Sequence, residues 1–381
     1  MKRLYLITFL SLALLGTSCE RDLDFDNPSE EEAGNMVINA VAVADTSFTV
    51  YLNRAYSIGK TPRLVSPDYD HAVFFQDDET TDYVSNIYYK NTVIRAAKVV
   101  AVVNGEQTYN LILDETNLGY TCSYIPKPGD HIVVTASVYN VESFDSTGGS
   151  VVPTQEVRAE TTVPAKPKIE VLEHEVLAQN PYQDMNGLFG GTDTIMRLTC
   201  RISDLGGERY YRLRVRSERD ADYSMVTSYD IETGSLISTT YKYYYMQDVY
   251  FSEDDLFRDM RLTTSIGGWA TNFTTIFDNS LMKNGSYTFT IDSPKACNTS
   301  GYLRAIKKEL SSEGPDVPPR VMVELQAISP ELYKYMNSVE LNRVNSDDSY
   351  AEPVQIYSNV KDGWGIFGAL SYDRHFVEYG E

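Results

Sequence analysis

Short runs in which apolar and polar residues alternate recur from Met36 onwards, and they predict β-strands. The clearest pair is Val93–Val103 and Thr108–Leu113, joined by Asn104-Gly105, a dipeptide that favours the positive φ angles of a tight hairpin turn. The other strands predicted in the first half are Met36–Val43, Ser47–Leu52, Tyr120–Ile125, Ile132–Tyr139 and Glu156–Val163. Short strands at this spacing are typical of an immunoglobulin-like sandwich.

A second set of strands follows a stiff junction, Pro164 to Pro167, where few backbone donors are available for a sheet. The predicted strands are Lys168–Leu172, Thr194–Ser203, Arg209–Arg216, Ile237–Phe251, Ser286–Asp292, Arg320–Ile328, Pro353–Ser358 and Trp364–Tyr372. A helix is predicted next to Ile328, because Ser329 is a good N-cap and Pro330 fits a first helical turn. Its apolar face consists of Leu332, Tyr335, Met336 and Val339.

These patterns predict a mainly β fold with two β-sandwich (immunoglobulin-like) domains and one short C-terminal helix. We place the N-terminal sandwich at residues 36–164 and the C-terminal β-rich domain at residues 165–381. Residues 19–35 are acidic and contain Asn27-Pro28 and Gly34, which predicts a flexible tether ahead of the first strand. Residues 1–18 are predicted to be a lipoprotein signal peptide.

The signal peptide is recognised by the order of its segments. Lys2 and Arg3 precede the apolar run Leu4–Leu15, which is too short to span a bilayer. Gly16-Thr17-Ser18 before Cys19 resembles the lipobox of bacterial lipoproteins, in which the cysteine becomes the acylated N-terminus. Several acyl chains on one residue give durable membrane attachment. The expected partner is therefore outer-membrane lipid, through palmitate-type chains on Cys19; the alternative is an ordinary cleaved signal that takes Cys19 with it.

Acidic residues follow the predicted lipid attachment site: Glu20, Asp22, Asp24 and Asp26. They resemble the export tag that sends Bacteroidetes lipoproteins to the outer face of the outer membrane. We therefore expect a lipid-anchored outer-membrane protein that faces the cell exterior. Removal of residues 1–18 leaves 31 basic against 54 acidic residues, a net charge of −23. Such a chain repels nucleic acid, so no nucleic-acid partner is expected.

Three cysteines remain after Cys19, namely Cys122, Cys200 and Cys297. At most one disulfide can form among them, and the sequence leaves open whether any pair does. Their spacing fits no zinc motif, so we interpret them as small apolar core residues. Acidic groups at Asp77-Asp78-Glu79, Glu253-Asp254-Asp255 and Asp347-Asp348 lack the glycine and distal glutamate of a calcium loop. We interpret them as solvated loops; whether calcium binds them stays open, and no metal site is assigned.

Two clusters are candidates for ligand or partner contact. Arg212, Arg214 and Arg216 alternate with apolar residues and therefore share one strand face, where they either pair with carboxylates across the sheet or form an anion-binding stripe. The second cluster is a group of tyrosines that includes Tyr241, Tyr243 and Tyr245. Exposed tyrosines stack on sugars or fill partner pockets, whereas buried ones are good sheet residues.

Catalytic and cofactor motifs are weak in this chain. Gly363, Gly365 and Gly368 have the spacing of a dinucleotide-binding fingerprint, but the residues after them are β-like, and the fingerprint needs a helix there. We interpret these glycines as part of a hairpin. The four histidines are scattered and no Gly-x-Ser-x-Gly elbow is present. No cofactor, no catalytic residue and no enzymatic activity are therefore expected.

Three C-terminal segments together resemble the closing signature of a Bacteroidetes outer-membrane lipoprotein family, the domain of unknown function 4249. They are Leu325–Tyr335, Ala351–Val360 and Gly363–Ala369. The resemblance extends back to the lipobox and covers nearly the whole mature chain. It implies a cell-envelope lipoprotein often encoded beside a TonB-dependent transporter, with no catalytic residues to carry over. It also implies that the Ser-Pro-Glu and Gly-x-Gly elements are structural.

The function expected from these features is that of a surface-exposed lipoprotein, a non-catalytic accessory to a TonB-dependent transporter in nutrient capture. One alternative is a fimbrial or adhesin-type structural lipoprotein, for which the region of Arg54 is the candidate protease site. Another is a glycan-active enzyme, which would need two facing carboxylates in a cleft. The ligand, the transporter partner and the oligomeric state stay open.

Overall fold

The structure is a computed structural model of the chain. It describes residues 35–55, 93–139, 154–177, 181, 195–203, 206–230, 235–248, 250–262, 264–266, 269–282, 285–294, 304–309, 320–346 and 354–378, with the backbone alone for 217–248, 264–271, 294, 304–309 and 346. Within these residues the fold is mainly β with one α-helix, as predicted.

The strands fall into one large sheet and two smaller ones. In chain order they are β1 Met36–Val43, β2 Thr49–Arg54, β3 Lys98–Val103, β4 Gln107–Asp114, β5 Gly119–Thr121, β6 His131–Val138, β7 Gln155–Thr162, β8 Lys168–Leu177, β9 Ile195–Ser203, β10 Tyr210–Asp230, β11 Ser235–Asp248, β12 Thr264–Ile266, β13 Trp269–Thr271, β14 Ile276–Asp278, β15 Ser286–Pro294, β16 Arg304–Glu309, β17 Arg320–Ile328 and β18 Trp364–Glu378. A 3-10 turn at Asp255–Phe257 precedes β12, and helix α1, Pro330–Ser346, lies between β17 and β18.

The large sheet contains 13 of the described strands in the order β16-β11-β10-β17-β18-β1-β2-β5-β4-β3-β6-β7, with β14 also paired to β10. The last strand, β18, pairs in parallel with the first strand, β1. Two further sheets are separate from it in their hydrogen bonding: a three-stranded sheet, β15-β9-β8, and the β12-β13 hairpin. The hydrogen-bonded ladder therefore passes from the first predicted domain into the second.

Two hydrophobic cores lie on either side of the proline junction. Residues from Met36 to Val163 form the first core, which also includes Phe367 and Ala369 from the start of β18. The second core begins at Ile169 and includes Val377 near the end of the same strand. Strand β18 thus belongs to both cores, and the division at 164/165 into two sandwich domains stays a prediction.

The predicted hairpin at Asn104-Gly105 is confirmed. Asn104 and Gly105 have φ angles of 54° and 73°, and they join β3 to β4. The Asn104 side chain fixes the turn, because its Oδ1 accepts a hydrogen bond from the His131 N–H at 2.9 Å and its Nδ2 donates to Asp130 at 2.9 Å. The same residue therefore supplies the positive φ angle and ties the turn to the start of β6.

The predicted helix is confirmed, but it is longer than expected, at 17 residues. Ser329 caps it: its Oγ accepts hydrogen bonds from the N–H groups of Leu332 at 3.4 Å and Ala369 at 3.2 Å. Leu332 is buried, whereas Val339, predicted on the same apolar face, is 36% exposed. The apolar side chains that pack against the β1–β18 pair therefore come from the first two turns of the helix.

The strand predicted at Pro353–Ser358 is wrong for the described part of that range, since residues 354–360 form no strand. Side chains of α1 take up its backbone groups instead. Asn342 Nδ2 donates to the Val354 carbonyl at 2.9 Å, and the Tyr357 N–H donates to Ser338 Oγ at 2.9 Å. The segment is held along the helix rather than in a sheet.

The glycine-bearing hairpin predicted around residue 363 is also wrong, because residues 354–360 form no strand with which β18 could pair. Strand β18 instead pairs in parallel with β1 and antiparallel with β17. Gly363 and Gly365 are needed for close approach to β1. A Cβ on Gly363 would lie 2.6 Å from the Met36 carbonyl oxygen, and one on Gly365 would lie 2.0 Å from the Ile38 carbonyl oxygen. Gly365 also has a φ angle of 105°. These glycines have a packing role.

Candidate functional site

The predicted lipid attachment site and export tag, Cys19, Glu20, Asp22, Asp24 and Asp26, lie outside the described residues. None of the helices in the described ranges is long and apolar enough to span a bilayer. Those ranges also contain no group of three or more His, Cys, Asp or Glu residues arranged to hold a metal ion.

Two of the three remaining cysteines are described, and both are free thiols. Cys200 is completely buried in the second core, and this burial raises the pKa of its thiol to about 12. Cys122 is partly buried, and its pKa is raised for the same reason. Cys297 lies outside the described residues. The interpretation of Cys200 as a small apolar core residue agrees with its surroundings.

The arginine stripe lies on β10, next to β17. Arg214 is opposite Glu324, whose side chain is 2% exposed. Glu324 accepts a hydrogen bond from Arg374 Nε at 2.7 Å, lies 3.6 Å from Arg214 Nη1, and accepts another at 2.7 Å from Gln326 Nε2. Arg214 therefore belongs to a buried ion cluster, and Arg212 also has a partner. At Arg214 the structure therefore favours pairing with a carboxylate across the sheet. Arg216 also has a partner. The role of the three arginines in ligand or partner contact stays a prediction.

The predicted tyrosine cluster lies on the strand next to the arginine stripe. Tyr241, Tyr243 and Tyr245 occupy β11, in which Asp248 is the residue opposite Arg216. Their role in ligand contact stays a prediction.

A small polar cleft lies at the end of the second core, and one of its lining residues, Asp255, belongs to the acidic group Glu253-Asp254-Asp255 that the sequence analysis interpreted as a solvated loop. Its volume is about 200 Å³. The walls come from the 3-10 turn, the loop after it, strand β14, the turn after β14, and the first turns of α1. The ionisable groups that line it are Asp255, Arg258, Asp259, Arg261, Asp278 and Tyr333.

The 3-10 turn is fixed from both sides. Asp254 caps it, because its Oδ1 accepts hydrogen bonds from the Leu256 N–H and from the Tyr287 hydroxyl, each at 2.9 Å. Burial, together with the bond to Asp254, raises the pKa of Tyr287 to about 12. Leu256 and Phe257 point into the core, and the Phe257 ring meets Phe277 of β14 edge-on at 5.5 Å. These contacts hold the two main walls of the cleft together.

Two arginine–carboxylate pairs stand at the cleft. Arg258 lies 2.8 Å from Asp255, and Arg261 binds Asp259 through Nε at 2.9 Å and Nη2 at 2.6 Å. The bond from Arg261 lowers the pKa of Asp259 and raises that of Arg261. Asp278 accepts a hydrogen bond from the Ser280 N–H at 2.8 Å. The lining thus carries three carboxylates and two guanidinium groups.

Tyr333 of α1 lines the cleft, and its ring stacks on that of Tyr210 at the start of β10. The rings of Tyr333 and Tyr210 have centroids 4.2 Å apart. Burial raises the pKa of Tyr333, and the neighbouring Asp278 raises it further. The hydroxyl of Tyr210 donates a hydrogen bond to Glu208, and this bond raises the pKa of Tyr210 to about 12. Both hydroxyls therefore stay protonated and can act as hydrogen-bond donors at neutral pH.

The fold and the cleft define a mainly β protein with a small polar cleft. A family model described as "Domain of unknown function (DUF4249)" matches residues 20–375. The chain belongs to this family. No curated protein matches it.

Among solved structures, the chain is similar to the "Crystal structure of Putative membrane anchored protein from Corynebacterium diphtheriae". The identity is 10%, the TM-score is 0.19, and the match covers 78% of this chain and 55% of that chain. This chain therefore spans about half the length of that structure.

Proposed function

We propose that this protein is a surface-exposed outer-membrane lipoprotein that serves as a non-catalytic accessory to a TonB-dependent transporter in nutrient capture. The single structural observation that carries the proposal is the polar cleft between the 3-10 turn, β14 and α1. A body on a lipid tether raises the effective concentration of its ligand site beside a transporter in the same membrane. The lipobox-like sequence before Cys19 and the acidic residues after it supply the anchor and the address.

The chemistry of the cleft supports binding rather than catalysis. A catalytic general acid needs a pKa raised towards neutrality. Asp259 has the opposite property, because Arg261 holds its pKa below the usual range. Arginines engage two of the three carboxyl groups that line the cleft, those of Asp255 and Asp259, which leaves only Asp278, whereas a glycan-active enzyme needs two. A permanently charged, paired carboxylate is suited to hydrogen-bonding a ligand.

The position of the first strand supports a tethered body. Strand β1 begins one residue after the predicted tether and lies between β18 and β2 in the large sheet. Asn35 accepts a hydrogen bond from the Ala55 N–H at 2.9 Å, so the strand is fixed at its entry. Arg54, the candidate protease site of the adhesin alternative, is the last residue of β2. No contact among the described residues favours that alternative specifically.

Purification of the intact complex tests the proposal. The protein carries an affinity tag at its C-terminus, and membranes are solubilised in mild detergent before capture. We expect an outer-membrane transporter to be recovered with the wild-type protein and to be lost with Cys19→Ala, which cannot be acylated. Recovery of the acylated protein without any transporter would overturn the accessory role, and a filament seen by electron microscopy would favour the adhesin instead.

A further inference from the structure

The size and surface of the cleft limit what it can hold. Its volume of about 200 Å³ is below the range of roughly 300–1,000 Å³ that is usual for drug-sized ligands. Most of its lining is polar, and the apolar part comes from Leu256, Ile276, Phe277 and Leu281. Leu281 is 41% exposed at the rim. A small polar molecule with one apolar face suits this shape, and a large apolar cofactor does not.

The charges of the cleft exclude one class of small ligand. Three carboxylates, on Asp255, Asp259 and Asp278, face two guanidinium groups, on Arg258 and Arg261. The lining therefore has a net charge of −1, within a chain whose own charge is −21. An anionic ligand would be repelled by both. A cationic ligand would gain from Asp278 but would also meet the two guanidinium groups.

The order of donors and acceptors indicates a neutral ligand. A carboxylate only accepts hydrogen bonds and a guanidinium group only donates them. Each Asp–Arg pair therefore places an acceptor beside a donor. The nitrogen–oxygen distance is 2.8 Å for Arg258 with Asp255 and 2.6 Å for Arg261 with Asp259. A hydroxyl group donates and accepts at once, so two adjacent hydroxyls match such a pair without any change in charge.

We infer that the cleft binds a neutral carbohydrate residue. Its adjacent hydroxyls bond the Asp259–Arg261 pair and Asp278, and its apolar C–H face packs against Leu281. This inference rests on the proposed role in nutrient capture and names the class of nutrient.

Binding to single sugars tests this assignment. The mature acylated protein, held in a detergent without a sugar headgroup, is titrated with glucose, galactose, mannose and N-acetylglucosamine. Glucuronic acid and glucosamine serve as the anionic and cationic probes of similar size. We expect at least one neutral sugar to bind with a Kd on the order of 1 mM, and glucuronic acid to bind more weakly.

A matched pair of variants locates the site. Arg261→Met removes the guanidinium group of the cleft pair, and we expect it to weaken binding of the neutral sugar about tenfold. Arg343→Met is the control, because Arg343 forms a similar exposed pair with Glu340 on α1, at 2.5 Å, outside the cleft. The control is expected to bind like the wild type. Circular dichroism of both variants establishes that each is folded.

The outcomes separate this inference from the proposed function. If a transporter is recovered with the protein but no neutral sugar binds, or if glucuronic acid or glucosamine binds more tightly than the neutral sugars, the assigned ligand class is wrong and the accessory role stands. Equal affinity of Arg261→Met and Arg343→Met for the neutral sugar would also overturn the assignment of the sugar to this cleft. If a neutral sugar binds and no transporter is recovered, the accessory role fails while the cleft keeps its ligand class.

Discussion

Replacement of Gly365 by alanine tests how closely the last strand approaches the first. The φ angle of 105° is itself unfavourable for alanine, at a cost on the order of 1–2 kcal/mol. The new Cβ would also lie 2.0 Å from the Ile38 carbonyl oxygen and 2.9 Å from its carbon. The Ile38 side chain is completely buried, so its backbone cannot withdraw without disturbing the first core. Relief of such a clash costs about 2–3 kcal/mol.

The expected loss of unfolding free energy for Gly365→Ala is therefore about 4 kcal/mol. Gly105→Ala is the matched control. Gly105 has a φ angle of 73°, but nothing lies within 4 Å of the position that its new methyl group would take, so only the backbone cost of about 1 kcal/mol applies. Most of the difference of about 3 kcal/mol comes from the clash with β1.

Urea unfolding is the assay, with the fluorescence of Trp364 as the probe in a Trp269→Phe background, since the chain has 2 tryptophans. The slope of free energy against urea should be the same for both variants, so that midpoints are comparable. A Gly365→Ala protein within about 1 kcal/mol of Gly105→Ala would refute the close approach of the two strands.

Three further predictions concern charged and buried groups. Glu324→Gln leaves Arg214 and Arg374 without their shared carboxylate, and we expect it to lower the free energy of unfolding in urea by about 2 kcal/mol. The loss is smaller than for a fully buried pair because both arginines are partly exposed. Unchanged stability would contradict the ion cluster. Lys168 and Arg201 lower the pKa of Glu170 from 4.5 to about 2, so the contribution of Glu170 to stability is present above pH 4.5 and is lost as the pH falls towards 2. Glu170→Gln should remove this part of the pH dependence of unfolding. An unaltered pH profile in the variant would contradict the predicted role of Glu170. The Cys200 thiol, buried and with its pKa raised to about 12, should resist iodoacetamide until the protein is denatured, as mass spectrometry would show; rapid labelling of the native protein would be inconsistent with its burial.

Local features of the fold could be predicted because their causes lie close together in the chain. Asn104-Gly105 specifies its turn through the φ angles of two adjacent residues. Ser329 and Pro330 specify the start of α1 in the same way, by capping and by a preset φ angle. The long-range arrangement has no such local cause. Nothing near Trp364 indicates that β18 pairs with β1, a strand more than 300 residues away in the chain.

The cleft could not be predicted for the same reason. Its walls come from the 3-10 turn at Asp255–Phe257, from β14 and from Tyr333 of α1, and only the fold brings these together. Two local signals were present: the acidic group that includes Asp255, and the pair Asp259 and Arg261, in which the guanidinium group reaches back to the carboxylate. The arginine stripe gave a clearer pattern, since Arg214 and its neighbours share a strand face, but Arg214 itself pairs with buried Glu324.

The parallel pairing of β1 with β18 also governs the order in which this chain can mature. Synthesis runs from β1 towards β18, so the first strand emerges more than 300 residues before the neighbour with which it pairs. The amino-terminal core stays open on one side until then, with Phe367 and Ala369 still missing from it. A product cut short before Trp364 would leave the edge of β1 unpaired and open to proteolysis and aggregation, so it is expected to be short-lived.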